Sequence, residues 1–185
     1  MVVTARSIEN YDLIGGDLAL DFANTLEATH EGEPHQDHLR APADLVAWAR
    51  RVGLQDARPG DLDAARALRA AIHAVFAAVA TGDVPAPAPL DTLLAVHAGA
   101  VAEGRLTPGD PYAWDWERPD PLWPVAVAAV DLLRSPERLA RVKLCAQCSW
   151  LFVDRSRNGS RRWCSMGECG AQVKMRRYRA ARRGG

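Results

Sequence analysis

The sequence predicts an α+β chain of two unequal parts: a mainly helical body with a few short strands over residues 1–140, and a small module over residues 141–185. Three observations predict it. Apolar residues recur at helical spacing in four segments before residue 134, all four cysteines fall between residues 145 and 169, and charge divides between the two parts. Of the 185 residues, 48% are apolar, enough to bury a core. The formal net charge is zero, yet residues 141–185 carry twelve Lys and Arg against Asp154 and Glu168, a balance of +10. Residues 1–140 then hold 11 basic and 21 acidic side chains, a balance of −10. The asymmetry points the last quarter of the chain at a polyanion.

The opening MVVTARSIENYDL has no cationic start followed by an apolar run. No window approaches the roughly 18 consecutive apolar residues of a membrane span, so a soluble cytoplasmic protein with no membrane partner is expected. In PADLVAWARRVG, Leu45, Trp48, Ala49 and Val52 recur at helical spacing and Gly53 supplies the stop. Asp61 is the N-cap of a longer helix with the stripe Leu62, Ala65, Leu68, Ile72, Val75, Phe76 and Val79, ended by Gly82. The Pro-rich VPAPAPLD reads as a connection, followed by a helix on Leu90, Leu93, Leu94, His97 and Val101 up to Gly104, with His97 in the core. Turn residues and alternating aromatics in RLTPGDPYAWDWERPDP predict a short hairpin. Pro121 and Pro124 open the helix of LWPVAVAAVDLL, and Ser135 with Pro136 form the N-cap and first turn of a short helix leading to Cys145.

Cys145 and Cys148 form C-x2-C, Cys164 and Cys169 form C-x4-C, and fifteen residues separate the pairs. A two-residue gap lets both thiolates of a tight turn face one ion, and two pairs complete the tetrahedral sulfur shell of a closed structural zinc site. The alternatives are weaker. A disulfide frame needs an oxidising compartment, a redox C-x-x-C follows a strand in a βαβ unit absent from this pattern, and four thiolates leave no open position for catalytic zinc. An iron–sulfur cluster is the remaining alternative. Between the pairs, WLFVD and RRWCS read as strands joined through RSRNGS, where Asn158-Gly159 is a type I′ turn signal. The same Asn-Gly-Ser triplet as a glycosylation acceptor is read as a turn only. GAQVKMRRYRAARR follows as a helix whose positive end favours the last thiolate. The order knuckle, hairpin, helix is that of a treble-clef-like finger, too small for a good core without its metal.

Arg155, Arg157, Arg161 and Arg162 cluster about that hairpin; Lys174, Arg176, Arg177, Arg179, Arg182 and Arg183 lie on the helix and its end. Cations that neutralise several phosphates bind nucleic acid with steep salt dependence, so DNA is the expected partner, with Arg155, Arg157, Arg161, Arg162, Lys174, Arg176, Arg177 and Arg179 as candidate contacts. Val173, Met175, Tyr178 and Trp163 are expected to pack.

The run C-x2-C, LFVDRSRNGSRRWCS, C-x4-C-G and VKMRRYR resembles the CGNR zinc-finger family, in which the finger follows an N-terminal ABATE domain. GGDLALDFANTL is similar to that domain's opening motif, with Asp21, Phe22, Asn24 and Thr25 in matching places. The resemblance implies a bacterial stress-related transcription regulator whose finger holds one Zn²⁺ through Cys145, Cys148, Cys164 and Cys169 and binds DNA. It also implies that residues 1–140 form an ABATE-like regulatory domain that senses or dimerises. One departure stands out: where the family motif reads Cys-Gly-Asn-Arg, this chain has Cys169-Gly170-Ala171-Gln172.

Asp21 and Asn24 are candidates for a pocket that takes a small-molecule effector, and equally for bracing the fold. His30, His35 and His38 among acids offer a weaker second metal site, and His73 has no assigned role. No nucleophile elbow, phosphate loop or H-E-x-x-H occurs, so no enzymatic activity is expected. Rival readings are a protein-interaction or RNA-binding adaptor with an acidic partner, and a ligand-binding N-terminal domain that uses the finger as a brace. A homodimer is compatible with either.

Overall fold

The computed structural model describes residues 8, 11–28, 34–54, 57 and 60–183. Helix α1, Leu18–Ala23, is capped by Asp17, whose carboxylate accepts the Ala19 N–H at 2.9 Å, and it is almost wholly buried. Strands β1, Leu26–Ala28, and β2, Pro34–Asp37, pair antiparallel with an irregularity after Glu27. Helix α2, Pro42–Arg51, buries Leu45, Trp48 and Ala49 and stops before Gly53, whose φ of 89° is the left-handed conformation that glycine adopts without strain.

Helix α3, Leu62–Thr81, is the centre of the body. Asp61 accepts the N–H groups of Asp63 and Ala64 at 2.8 and 3.0 Å, and Gly82 closes the other end with φ 82°. It is the one described helix with the length and composition of a membrane span, but its apolar face packs against α1 and its neighbours inside the core. Arg69 on that helix is buried and meets Asp37 with two hydrogen bonds of 2.6 and 2.8 Å, which anchors the β1–β2 ladder.

Helix α4, Pro87–Glu103, begins inside the tract expected to be a connection. The first turn of a helix has no intrahelical partner for its N–H groups, so Pro87 and Pro89 sit there without loss. Its buried face is Leu93 and Ala100, leaving Leu94 and Val101 of the expected stripe exposed and His97 half-buried rather than in the core. Strands β3, Arg105–Thr107, and β4, Ala113–Asp115, form the expected hairpin. It stacks Trp114 on Trp116, whose indole N–H donates to Ala100 O at 2.9 Å, and this group covers Trp123 and Val127. A Cβ on Gly104 would lie 2.7 Å from both indoles, so the turn from α4 into β3 needs a glycine.

Helix α5, Trp123–Leu133, and the short α6, Pro136–Leu139, match the sequence reading, although the Ser135 side chain makes no capping bond. Strand β5, Val142–Leu144, pairs antiparallel with β6, Leu151–Val153. A turn of π type, Met166–Gly170, leads into helix α7, Ala171–Arg183.

The hairpin expected between residues 150–154 and 161–165 is not formed, because β6 pairs with β5 instead. Asp154 takes the place of a ladder: its carboxylate accepts the N–H of Ser156 and of Arg161, each at 2.9 Å, and pairs with Lys143 at 3.0 Å. A type I′ turn requires positive φ at both central residues; Gly159 has it, at 58°, and no described non-glycine residue does. The loop is therefore organised by a buried carboxylate.

One hydrophobic core spans both parts of the chain, running from Leu20, Phe22, Trp48, Ile72 and Phe76 to Val142, Trp150, Leu151, Phe152 and the cysteines. The helical body and the C-terminal module bury their apolar faces against each other.

Candidate metal centre and basic face

Local backbone geometry presents the first cysteine pair. The Cys145 N–H donates to Trp150 O at 2.8 Å, closing the turn between β5 and β6, and the N–H groups of Cys148 and Trp150 donate to the sulfurs of Cys145 and Cys148. Such amide donors stabilise a thiolate. The second pair comes from the π turn: Ser165 Oγ accepts the Glu168 N–H at 3.3 Å, and the turn sets Cys169 immediately before α7. Gly170 is buried there, and a Cβ would approach the Met166 sulfur to 3.2 Å and the Trp163 ring to 3.5 Å.

All four sulfurs lie within 4.8 Å of one another, with Cys148–Cys164 at 3.6 Å, Cys164–Cys169 at 3.5 Å and Cys169–Cys148 at 3.7 Å. These are too long for a disulfide, whose bond is about 2.05 Å. They match the edge of a tetrahedron with zinc–sulfur bonds of about 2.3 Å, an edge of about 3.8 Å. Hydrogen bonds with the neighbouring thiols hold Cys145 far below the ordinary thiol range, while contact with Cys145 pushes Cys148 and Cys164 above it. Four sulfurs this close cannot all ionise unless a cation sits among them. The donor set is purely sulfur, and Cys145, Cys164 and Cys169 are buried, so it fits one structural zinc ion.

The arginines expected to form one surface divide into two kinds. Arg161 is structural: its Nε donates to Trp163 O at 2.8 Å, its Nη2 to Cys164 O, and its guanidinium lies 4.6 Å over the Phe152 ring. Arg155 donates to Gly16 O at 2.8 Å, tying the loop to the N-terminal body, and Arg176 donates to Gln147 beside the first cysteine pair. By contrast Arg157, Lys174, Arg177 and Arg179 are exposed and, among the described residues, meet no carboxylate. Arg162 is exposed with its guanidinium 5.6 Å from the Trp163 ring. The Arg183 side chain lies outside the described residues.

Helix α7 packs on the π turn that precedes it, and Met175 and Tyr178, expected to pack, are 50% and 58% exposed. Val173 and Trp163 are half-buried.

Asp21 and Asn24 both hydrogen-bond protein backbone. Asp21 Oδ1 accepts the Gly15 N–H at 2.7 Å, and burial pushes its carboxyl up to about 6 despite that bond. Asn24 holds Leu151 of β6 from both sides, its amide donating to Leu151 O and its oxygen accepting Leu151 N–H, each at 2.8 Å. A groove of about 900 Å³ lies elsewhere, between the end of α3, α6 and β5. Of the proposed histidine cluster, His30 and the His35 side chain lie outside the described residues. His38 is buried with Nε2 3.1 Å from Glu27 Oε1 and Nδ1 3.3 Å from Gln36, so both ring nitrogens have protein partners.

Sequence reasoning missed further long-range links. His73 on α3 bonds Ser149 O at 2.8 Å and Val153 N–H donates to Gly15 O at 2.8 Å, both between the parts, and within the body Arg138 pairs with Asp17 at 2.6 Å. Each joins residues far apart in the chain, and no local pattern marks such a pair.

Residues 16–136 match the ABATE family, described as "Putative stress-induced transcription regulator", and residues 141–182 match the CGNR zinc finger. A comparison with curated proteins found no match.

Proposed function

Because this chain belongs to the ABATE family and ends in a CGNR zinc finger, we propose that it is a bacterial transcription regulator that binds DNA through the zinc-dependent C-terminal module. It works in the cytoplasm and catalyses no reaction. The observation that carries the reading is the exposed set Arg157, Arg162, Lys174, Arg177 and Arg179, held beside a closed four-cysteine site in a segment with a charge of +10. Cations without acidic partners keep their full charge available for phosphates. The ABATE body serves as the sensing or dimerising part. Its shared core with the module gives a change in the body a physical route to the DNA-binding surface.

The test compares the full zinc-loaded chain on duplex DNA, on single-stranded RNA and on poly-glutamate in dilute buffer. Tightest binding to the duplex supports the proposal. Preference for RNA, or binding to poly-glutamate as tight as to DNA, would replace it with the adaptor reading.

A further inference from the structure

Exposed cations account for affinity toward any duplex but carry no sequence information. Helix α7 also exposes residues that are poor phosphate ligands. With successive residues 100° apart around the helix, Met175, Tyr178 and Arg182 share one face, opposite the half-buried Val173. Gln172 and Arg179 flank that face on one side and Lys174 on the other. Met175 is 50% and Tyr178 58% exposed, and the helix is held at its N-terminal end, where Cys169 and the π turn fix it. The Tyr178 ring is steadied by Arg182, 5.7 Å from its centroid and 3.4 Å from its hydroxyl.

An exposed thioether and phenol ringed by cations fit one environment well: a surface that is apolar and hydrogen-bonding at its centre and anionic at both rims. The major groove of duplex DNA has that layout, with thymine methyls and base edges between two phosphate walls, and its width of about 12 Å admits a helix. We propose that the outward face of α7 is the base-reading surface, with Met175 against thymine methyls and Gln172 and Tyr178 hydrogen-bonding base edges. A glutamine side chain can pair with both the N6 and N7 positions of adenine, so the face favours A·T steps. Gln172 stands where the family motif has arginine, so the preferred site of this chain differs at that contact from one read by arginine. Lys174 and Arg179 then meet phosphates on either side.

This inference rests on the proposed function and is tested apart from it. The full zinc-loaded chain selects its preferred duplex from a random pool, and the selected site is remade with each thymine replaced by deoxyuracil, which removes only the methyl. The expected result is loss of about fourfold in affinity at one or two positions, the worth of one buried methyl. Met175→Ala loses that sensitivity, and Gln172→Ala narrows the ratio of selected to random duplex about tenfold with the salt slope unchanged. Both residues are exposed, and zinc content together with the melting temperature verifies that the variants fold. Salt-dependent binding with no selected sequence, or a selected site indifferent to methyl removal and to both substitutions, overturns the base-reading face while leaving the proposed function standing. No binding to any duplex overturns both.

Discussion

Asn24 and Leu151, 127 residues apart in the chain, are joined by two hydrogen bonds of 2.8 Å that use both ends of one carboxamide. Asn24 closes α1 in the ABATE motif, and Leu151 begins the strand that returns from the first cysteine pair. One side chain thus replaces a missing strand neighbour for β6.

Replacing Asn24 by Ala leaves a buried N–H and a buried C=O without partners, each worth about 1–3 kcal/mol. A loss of about 2–4 kcal/mol in urea unfolding of the zinc-loaded chain is expected. Asn24→Asp should be no milder, since a carboxylate still accepts the Leu151 N–H but faces the Leu151 carbonyl with no donor. A change below about 0.5 kcal/mol in either variant would show the pairing to be incidental.

Removing the metal should unsettle more than the module. Cys145, Cys164 and Cys169 belong to the same core as Phe22, Ile72 and Phe76, so stripping zinc with a chelator, or Cys148→Ser, should lower the melting temperature of the whole chain. Calorimetry should give a single transition with zinc bound. Two separate transitions with the metal in place would contradict the shared core. Metal analysis should find one zinc per chain.

The arginines should separate by role. Lys174 and Arg177 are exposed and, among the described residues, meet no carboxylate, so Lys174→Ala with Arg177→Ala should flatten the salt dependence of DNA binding by about 2 in slope and leave the melting temperature unchanged. Arg161→Ala should act the other way, because the guanidinium caps the carbonyls of Trp163 and Cys164 and covers Phe152. A stable, fully folded Arg161→Ala that loses only DNA affinity would reverse this assignment.

Asp21 makes stability depend on pH. Burial raises its folded pKa from 3.8 to about 6, so the folded state holds the proton more tightly than the unfolded chain does. Its contribution is complete below about pH 4 and is lost as pH rises through about 6. Asp21→Asn keeps an acceptor for the Gly15 N–H and removes the buried charge. The variant should exceed the natural protein by an amount on the order of 2 kcal/mol at pH 8 and lose the advantage at pH 4, as read from melting temperatures across that range. A constant difference at all pH values would mean that the folded state holds the Asp21 proton no more tightly than the unfolded chain does.

Features with a local cause were legible in the sequence. Asp61 and Gly82 bound α3 because a cap needs only its neighbours, and the cysteine spacing marks a four-sulfur site because each pair is set by one turn. Proline misled at α4, where residues that break a helix interior fit its first turn. The Asn158-Gly159 signal misled because β6 took β5 as its partner, a choice made by the shared core and by Asp154 rather than by the turn. The polar residues of the ABATE motif showed that something had to be bonded. Which atoms they hold, Leu151 for Asn24 and Gly15 for Asp21, depends on the approach of β6 from the far end of the chain.

Presentation of exposed cations to DNA by a zinc-held module is tested most directly by fluorescence anisotropy of a labelled duplex titrated with the full chain over a salt series, zinc-loaded and chelator-stripped. If Arg157, Arg162, Lys174, Arg177 and Arg179 each meet one phosphate, log K should fall linearly with log salt at a slope of about −4.5, and stripping should abolish the binding. Binding that ignores salt, or that persists equally without zinc, would contradict the account.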